Sequence, residues 1–364
     1  MSESQSARRI LRVFVIVTIA GAGIVAYGQT AQPAKPLPVG AQASSPPSPP
    51  PFQPLRYDED WSFLGDESRR SEWLDRLKYI PLNERGWYLS LGGEARIRYE
   101  YFNQFNFGAG PQDDDGYLLQ RYLLHADAHL GKRIRVFTQL QSAIGSGRKG
   151  GPRPTDDDRL EVHQAFLDLK FGDETNSLTV RVGRHEMDFG SGRLISAGEG
   201  LNVRRSFDGM RMIYRHGPWL INGQVNKLVS IKPGLFNDAR DPSQTFWGVG
   251  ATRSRPKIRG SHQFAYIALD RKVGRFDQGS GREIRHTIIA RTYGASVNAA
   301  GNFDYNFDTI FQWGRFQSAG REIGIRAWAL ASDVGHTINR IPLKPRLGLR
   351  GAATSGDKNP NAQR

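Results

Sequence analysis

The 364-residue sequence predicts an all-β protein, a transmembrane antiparallel β-barrel, and three observations carry that expectation. In residues 303–313 the side chains of Phe303, Tyr305, Phe307, Thr309, Phe311 and Trp313 share one face, and those of Asp304, Asn306, Asp308 and Gln312 share the other. A period of two is the signature of a strand. The pattern recurs in roughly thirteen segments of about ten residues, the length that a tilted membrane strand requires. Segment after segment, the polar face carries Arg, Asp, His and Gln, which suits a wall with lipid on one side and water on the other. A soluble sandwich or β-helix would need an apolar inner face instead.

Composition bounds the alternatives. There are 50 Lys and Arg against 36 Asp and Glu, a formal net charge of +14, and the mean hydropathy is −0.52. Such a value excludes a run of helical membrane spans but not a barrel, in which every second residue faces water. No cysteine is present, so no disulfide framework exists.

Residues 1–28 read as a secretory signal. Arg8, Arg9 and Arg12 form the basic region, residues 13–25 the apolar core, and Ala26-Tyr27-Gly28 a small-x-small cleavage site. Residues 29–56, rich in Pro, Ala, Ser and Gln, bury too little apolar surface to order themselves and are expected to be a disordered linker. Residues 57–86 are expected as a periplasmic segment at the barrel entrance, amphipathic and helical over 61–77.

The barrel is expected over 87–364. Leu89, Leu91, Ala95, Ile97, Tyr99 and Tyr101 alternate with Glu94, Arg96, Arg98 and Glu100; Tyr122, Leu124, Ala126 and Ala128 alternate with Arg121, His125, Asp127 and His129. Gly131-Lys132 turns the chain into Ile134, Val136 and Leu140, which face away from Arg133, Arg135, Gln139 and Gln141. A long polar loop over 144–158 precedes a strand at 160–171. Further strands are expected at 177–187, 203–215, 219–229, 245–253, 261–270, 284–295, 302–314, 321–332 and 344–353. Residues 354–364 read as a loop. An odd strand count without a closing strand leads to the expectation of a carboxyl-terminally truncated, incomplete barrel.

The most specific local signal is Arg181-Val182-Gly183-Arg184-His185-Glu186-Met187-Asp188-Phe189-Gly190, continuing through Gly192-Arg193-Leu194-Ile195 to Asn202-Val203-Arg204-Arg205-Ser206-Phe207-Asp208-Gly209. Together with His163-Gln164-Ala165-Phe166 and the strand over 118–127, it resembles the alginate export family of outer-membrane barrels, from about Trp61 to the carboxyl end. The resemblance implies a monomeric antiparallel barrel, eighteen-stranded in the alginate exporter itself, whose arginine-rich lumen passes an anionic polysaccharide.

The chemistry of the residues fits that implication. A polyuronate carries one carboxylate per sugar, and guanidinium groups attract and orient carboxylates, while interspersed acids keep each contact shallow. Expected pathway cations are Arg96, Arg98, Arg121, Arg184, Arg193, Arg204, Arg205 and Arg211, with Asp127, Asp188 and Asp208 as acidic partners. The bland alternative is cross-strand pairing that stiffens the wall, for which Glu94 with Arg96 or Arg98 and Arg181 with Glu186 are suited. Arg193, Arg204 and Arg205 flank a Gly-rich loop suited to fold inward.

Asp113-Asp114-Asp115 and Asp156-Asp157-Asp158 offer oxygen ligands for calcium but lack EF-hand spacing, and are expected to be solvated loop acids. His125 and His129, with Asp127 between them, lack a third assigned ligand and are expected in the wall. No metal, cofactor or catalytic residue is therefore expected: His163, His185 and Tyr214 sit in no recognisable catalytic motif. The arginines are spread strand by strand without a stacking patch, which disfavours nucleic acid. The expectation is a passive, anion-selective channel, not an enzyme, in the outer membrane of a Gram-negative bacterium. Its partners would be an anionic polysaccharide or oligouronate, outer-membrane lipid and periplasmic export machinery. The alternatives are a general anion or small-organic-acid porin, and an envelope polysaccharide-modifying enzyme.

Overall fold

The computed structural model describes residues 12–20 and 52–356, apart from 111, 174, 257–258, 277–278 and 298–300. The leader and linker expected over 1–56 and the terminal loop beyond 356 lie largely outside the described residues. The strands are β1 (Arg12–Ala20), β2 (Ile80–Pro81), β3 (Tyr88–Glu100), β4 (Tyr117–Leu130), β5 (Ile134–Ser146), β6 (Asp158–Gly172), β7 (Asn176–His185), β8 (Phe207–His216), β9 (Trp219–Ser230), β10 (Ala239–Arg240), β11 (Gln244–Arg255), β12 (Gly260–Phe276), β13 (Gly279–Val297), β14 (Gly301–Ser318), β15 (Arg321–Ile338) and β16 (Arg346–Thr354). Every strand expected from the sequence meets an observed one. No described helix is long and apolar enough to cross a membrane.

The chain forms two compact units. One holds Gly40–Gly217 and Asn222–Thr245. Its strands pair antiparallel with their neighbours in sequence from β2 to β8, with a short turn at 131–133 and long loops at 147–157 and 186–206. The other unit holds Met1–Val39, Pro218–Ile221 and Phe246–Arg364, where β12 to β16 pair in the same way. Within it, β1 runs antiparallel to β16, Arg12 opposite Thr354 and Ala20 opposite Arg346. This stretch of the expected leader is rich in β-branched residues, which suit a strand.

Both units turn a soluble protein inside out. In the first, Leu124 is 63% exposed while Arg121, of opposite parity on the same strand, is 0% exposed. In the second, Phe311 is 52% exposed and Asp308 3%. The charged face is the buried one, and the aromatic face is bare. That arrangement costs heavily in water and suits hydrocarbon, where the backbone is satisfied by the ladder and the side chains by lipid.

Three boundaries differ from expectation. Strand β8 starts at Phe207 rather than 203, because Val203 N donates to Thr155 O at 2.9 Å and Arg204 N to Gln141 Oε1 at 3.1 Å, which holds these residues to the 186–206 loop. Strands β12 to β15 run 17 to 19 residues, well beyond the membrane minimum. The segment expected as a helix over 61–77 is broken into turns at Ser62–Gly65 and Glu67–Arg69 and a four-residue helix α1 (Asp75–Lys78). Asp66 accepts from Ser68 N at 3.0 Å, a local bond that competes with helix.

Candidate functional site on the polar face

The site grows from a conflict of close packing. Gly183 in β7 has φ +130°, and a Cβ there would lie 2.3 Å from Ala165 O, so only glycine lets β7 approach β6. That approach brings the two quoted motif halves together. His163 Nε2 lies 2.7 Å from Glu186 Oε1, Glu186 N donates to Gln164 Oε1 at 2.9 Å, and Gln164 Nε2 donates to Gln139 Oε1 at 2.7 Å. Arg204 closes the network, its Nε 2.5 Å from Glu186 Oε1. Burial raises the Glu186 carboxyl, but Arg204 and His163 outweigh it and hold the group below the ordinary glutamate value. Burial likewise lowers Arg204, and Glu186 and Glu199 more than restore it.

The 186–206 loop folds back over the polar face of β3, β4 and β5. Arg96 donates to the carbonyls of Glu199, at 2.7 Å, and Leu201. Arg98 donates to Gly200 O at 2.8 Å. Arg121 donates to Glu199 O and Leu201 O, both at 3.1 Å, and its other nitrogen reaches Glu94 at 2.5 Å and Glu199 at 2.7 Å. Asn202 Nδ2 donates to Gln120 O at 3.0 Å and Asp156 O at 2.8 Å. Three of the expected pathway arginines thus hold loop carbonyls.

The others divide. Arg184 is forked by Asp208 at 2.9 and 3.3 Å, and Asp127 is forked by Arg135 at 2.8 and 2.7 Å. These pairs stiffen the wall. Asp188 accepts from Ala197 N at 2.8 Å, a bond internal to the loop. Arg193 and Arg205 are exposed on the loop. Arg211 donates to Asn222 Oδ1 at 3.1 Å and sits opposite Arg181 across the β7–β8 pair; its Nε has no partner among the described residues. Wall pairing runs otherwise than the sequence implied. Glu94 binds Arg121 and Arg56, at 2.5 and 2.9 Å, because Arg96 and Arg98 are drawn to the loop. Arg181 binds Asp168 at 2.8 Å, its direct cross-strand neighbour, which leaves Glu186 to Arg204.

Sequence reading did not find the amino-terminal segment here. Tyr57 is buried edge-on to Phe137 and Phe166, with ring centroids 6.1 and 5.4 Å away, and the Arg181 guanidinium lies 4.0 Å from its ring centroid. Its hydroxyl donates to Glu186 O at 2.8 Å, and burial raises that hydroxyl's pKa. Arg135 donates to Tyr57 O at 2.6 Å and Arg204 to Pro54 O at 2.9 Å. The available signal was parity, since Phe137 falls on the face of Arg135 and Gln139, where an apolar ring needs a cover.

The acidic loops are not simply solvated. Buried Asp113 and Asp156 clamp Arg148 at 2.7 and 2.8 Å, and Asp158 is buried at the start of β6. Arg148, carried by the adjoining loop, supplies the countercharge that solvent would otherwise provide. Lys149 does the same for Asp114 and Asp115 at the surface. His129 lies 3.1 Å from Asp127 and stacks on Tyr88, while His125 stacks on Phe137. Among the described residues, no group of three or more His, Asp or Glu side chains is arranged to hold a metal.

An antiparallel sheet that exposes its aromatics and buries its charges defines an outer-membrane β-barrel. The family model described as "Alginate export" matches residues 87–364, and the chain belongs to the alginate export family. A comparison with curated proteins finds no match. Among solved structures, the chain is similar to Pseudomonas aeruginosa OpdK with vanillate, at 10% identity over 70% of this chain and 63% of that chain, with a TM-score of 0.44. It is also similar to Pseudomonas putida OprB, at 10% identity over 74% of this chain and 94% of that one, with a TM-score of 0.38. For Salmonella typhi OmpF in complex with daunomycin the identity is 8%, the coverage 75% and 99%, and the TM-score 0.34. The chain spans 63% of the length of OpdK.

Proposed function

We propose that the protein is an outer-membrane channel that passively exports an anionic polysaccharide, alginate or a related uronate, along an arginine-lined inner face. The observation that supports it is the set of guanidinium groups on the polar face that acids leave unmatched. Arg211 is met by the neutral Asn222, and Arg205 stands exposed on the loop, where among the described residues only its backbone N is bonded, to Ala197 O at 2.7 Å. A uronate carboxylate can take up such groups in turn, and the forked pairs around them keep the field positive without making it sticky. On this reading the protein binds no cofactor and performs no chemistry. Residues 1–28 direct export and are removed, which takes β1 with them.

A porin for small organic acids is the second reading. It is favoured by the two segments, 52–64 and 186–206, that lie on the polar face and occupy space a polymer would need. Oligouronates of increasing length, added to one side of a planar bilayer holding the protein, separate the two. Block that strengthens with length supports the polymer pathway; equal block by neutral oligosaccharides of the same length would refute it.

A further inference from the structure

The amino-terminal segment makes contacts that resemble those of a carboxylate-bearing cargo, and we infer that residues 52–61 are a built-in plug that occupies the arginine face in cis. The segment first folds on itself. Glu59 accepts from Gln53 N at 3.0 Å, from Arg56 at 2.9 Å and from Trp61 Nε1 at 3.3 Å, so it is a knot rather than a loose strand.

The knot then docks through groups the pathway would use. Its carbonyls at Pro54 and Tyr57 take Arg204 and Arg135, and Arg56 neutralises Glu94 from β3. Tyr57 seats the whole in the Phe137–Phe166 slot under Arg181.

The plug has a reason to be removable. Its grip consists of one aromatic anchor whose hydroxyl reaches Glu186 O, two carbonyl acceptors and the Arg56–Glu94 ion pair, and an incoming anion can take over the arginines that the carbonyls hold. No covalent link holds it, since the chain has no cysteine.

The inference rests on the channel reading for the identity of the cargo, but the plug can be tested without any cargo. Single-channel conductance in potassium chloride is compared for the full chain, Tyr57→Ala and Arg56→Gln, with heat-modifiable electrophoretic migration as the check that each barrel has folded. Tyr57→Ala should raise the conductance step by about twofold or more by freeing the face, and Arg56→Gln, which loses the ion pair to Glu94, should raise the frequency of open events. Folded variants whose conductance matches that of the full chain overturn the plug. Oligouronates are then added: block at lower concentration in Tyr57→Ala than in the full chain supports displacement by the cargo. Larger conductance with no oligouronate block in any variant keeps the plug and overturns the polyuronate reading.

Discussion

Arg204 and Glu186 meet at 2.5 Å with 1% of each side chain exposed, and they close the base of the loop that crosses the polar face. Glu186 follows the last residue of β7, and Arg204 lies three residues before β8. One buried pair therefore fixes both ends of an inward loop whose tip is held by Arg96, Arg98 and Arg121. The loop is a braced part of the wall.

Arg204→Ala should be strongly destabilising, because it leaves a buried carboxylate with only His163 beside it. The expected loss is about 3–5 kcal/mol, read from urea unfolding in liposomes. Arg204→Met combined with Glu186→Gln should recover most of it, since no unpaired charge remains. A loss below about 1 kcal/mol in the single variant, the level of an exposed pair, would mean that water reaches the site.

The same pair sets a pH dependence. The folded Glu186 carboxyl lies below its ordinary value, so its contribution is full above the unfolded value of about 4.3 and is lost as pH falls through the folded one. Stability of the wild type should therefore fall more steeply than that of Glu186→Gln as pH drops below about 4. Parallel curves for the two proteins would remove Glu186 from the account.

Gly183→Ala tests the strand approach on which the network depends. A Cβ 2.3 Å from Ala165 O at φ +130° forces β7 away from β6, at a cost of about 1–3 kcal/mol. Gly324→Ala in β15, where nothing lies within 4 Å, should stay within about 0.5 kcal/mol. Equal effects at the two positions would show that the close approach is not what the glycine provides.

The fold was legible because period-two alternation survives in β3, β4 and β5, and because charge on the buried face is a signal no soluble sheet imitates. Parity alone sets Asp127 on the buried face with Arg121 and His125, whereas Arg184 and Asp208 share the parity of the exposed Val182 and Met210 and were not placed by it. Partners were not placed by it either, since pairing depends on register, and a register is fixed by bulges and turns: Asp127 could not be matched to Arg135 until Leu130 was set opposite Ile134. The inward fold of 186–206 could be anticipated from its glycines and flanking arginines. Docking of 52–61 could not, because its contacts are backbone carbonyls and one tyrosine, which carry no periodic pattern. The buried clamp of Asp113 and Asp156 on Arg148 was hidden for a related reason: it joins two loops distant in sequence.

Charge reversal at the two unmatched arginines should change what the channel carries. Arg205→Glu and Arg211→Glu should each lower the preference for anions, and the double variant should lower it further, because fixed charge along a narrow polar path sets the local ion concentration. Arg184→Glu should instead impair folding, since it places a third acid beside Asp208 and Glu161. Unaltered selectivity in the double variant would move the pathway elsewhere.

The most direct measurement is the reversal potential of the refolded full chain in a planar bilayer under a potassium chloride gradient. An arginine-lined pathway predicts a potential of the sign set by chloride, shifting toward zero in Arg205→Glu/Arg211→Glu. A potential set by potassium in the unaltered protein would contradict it.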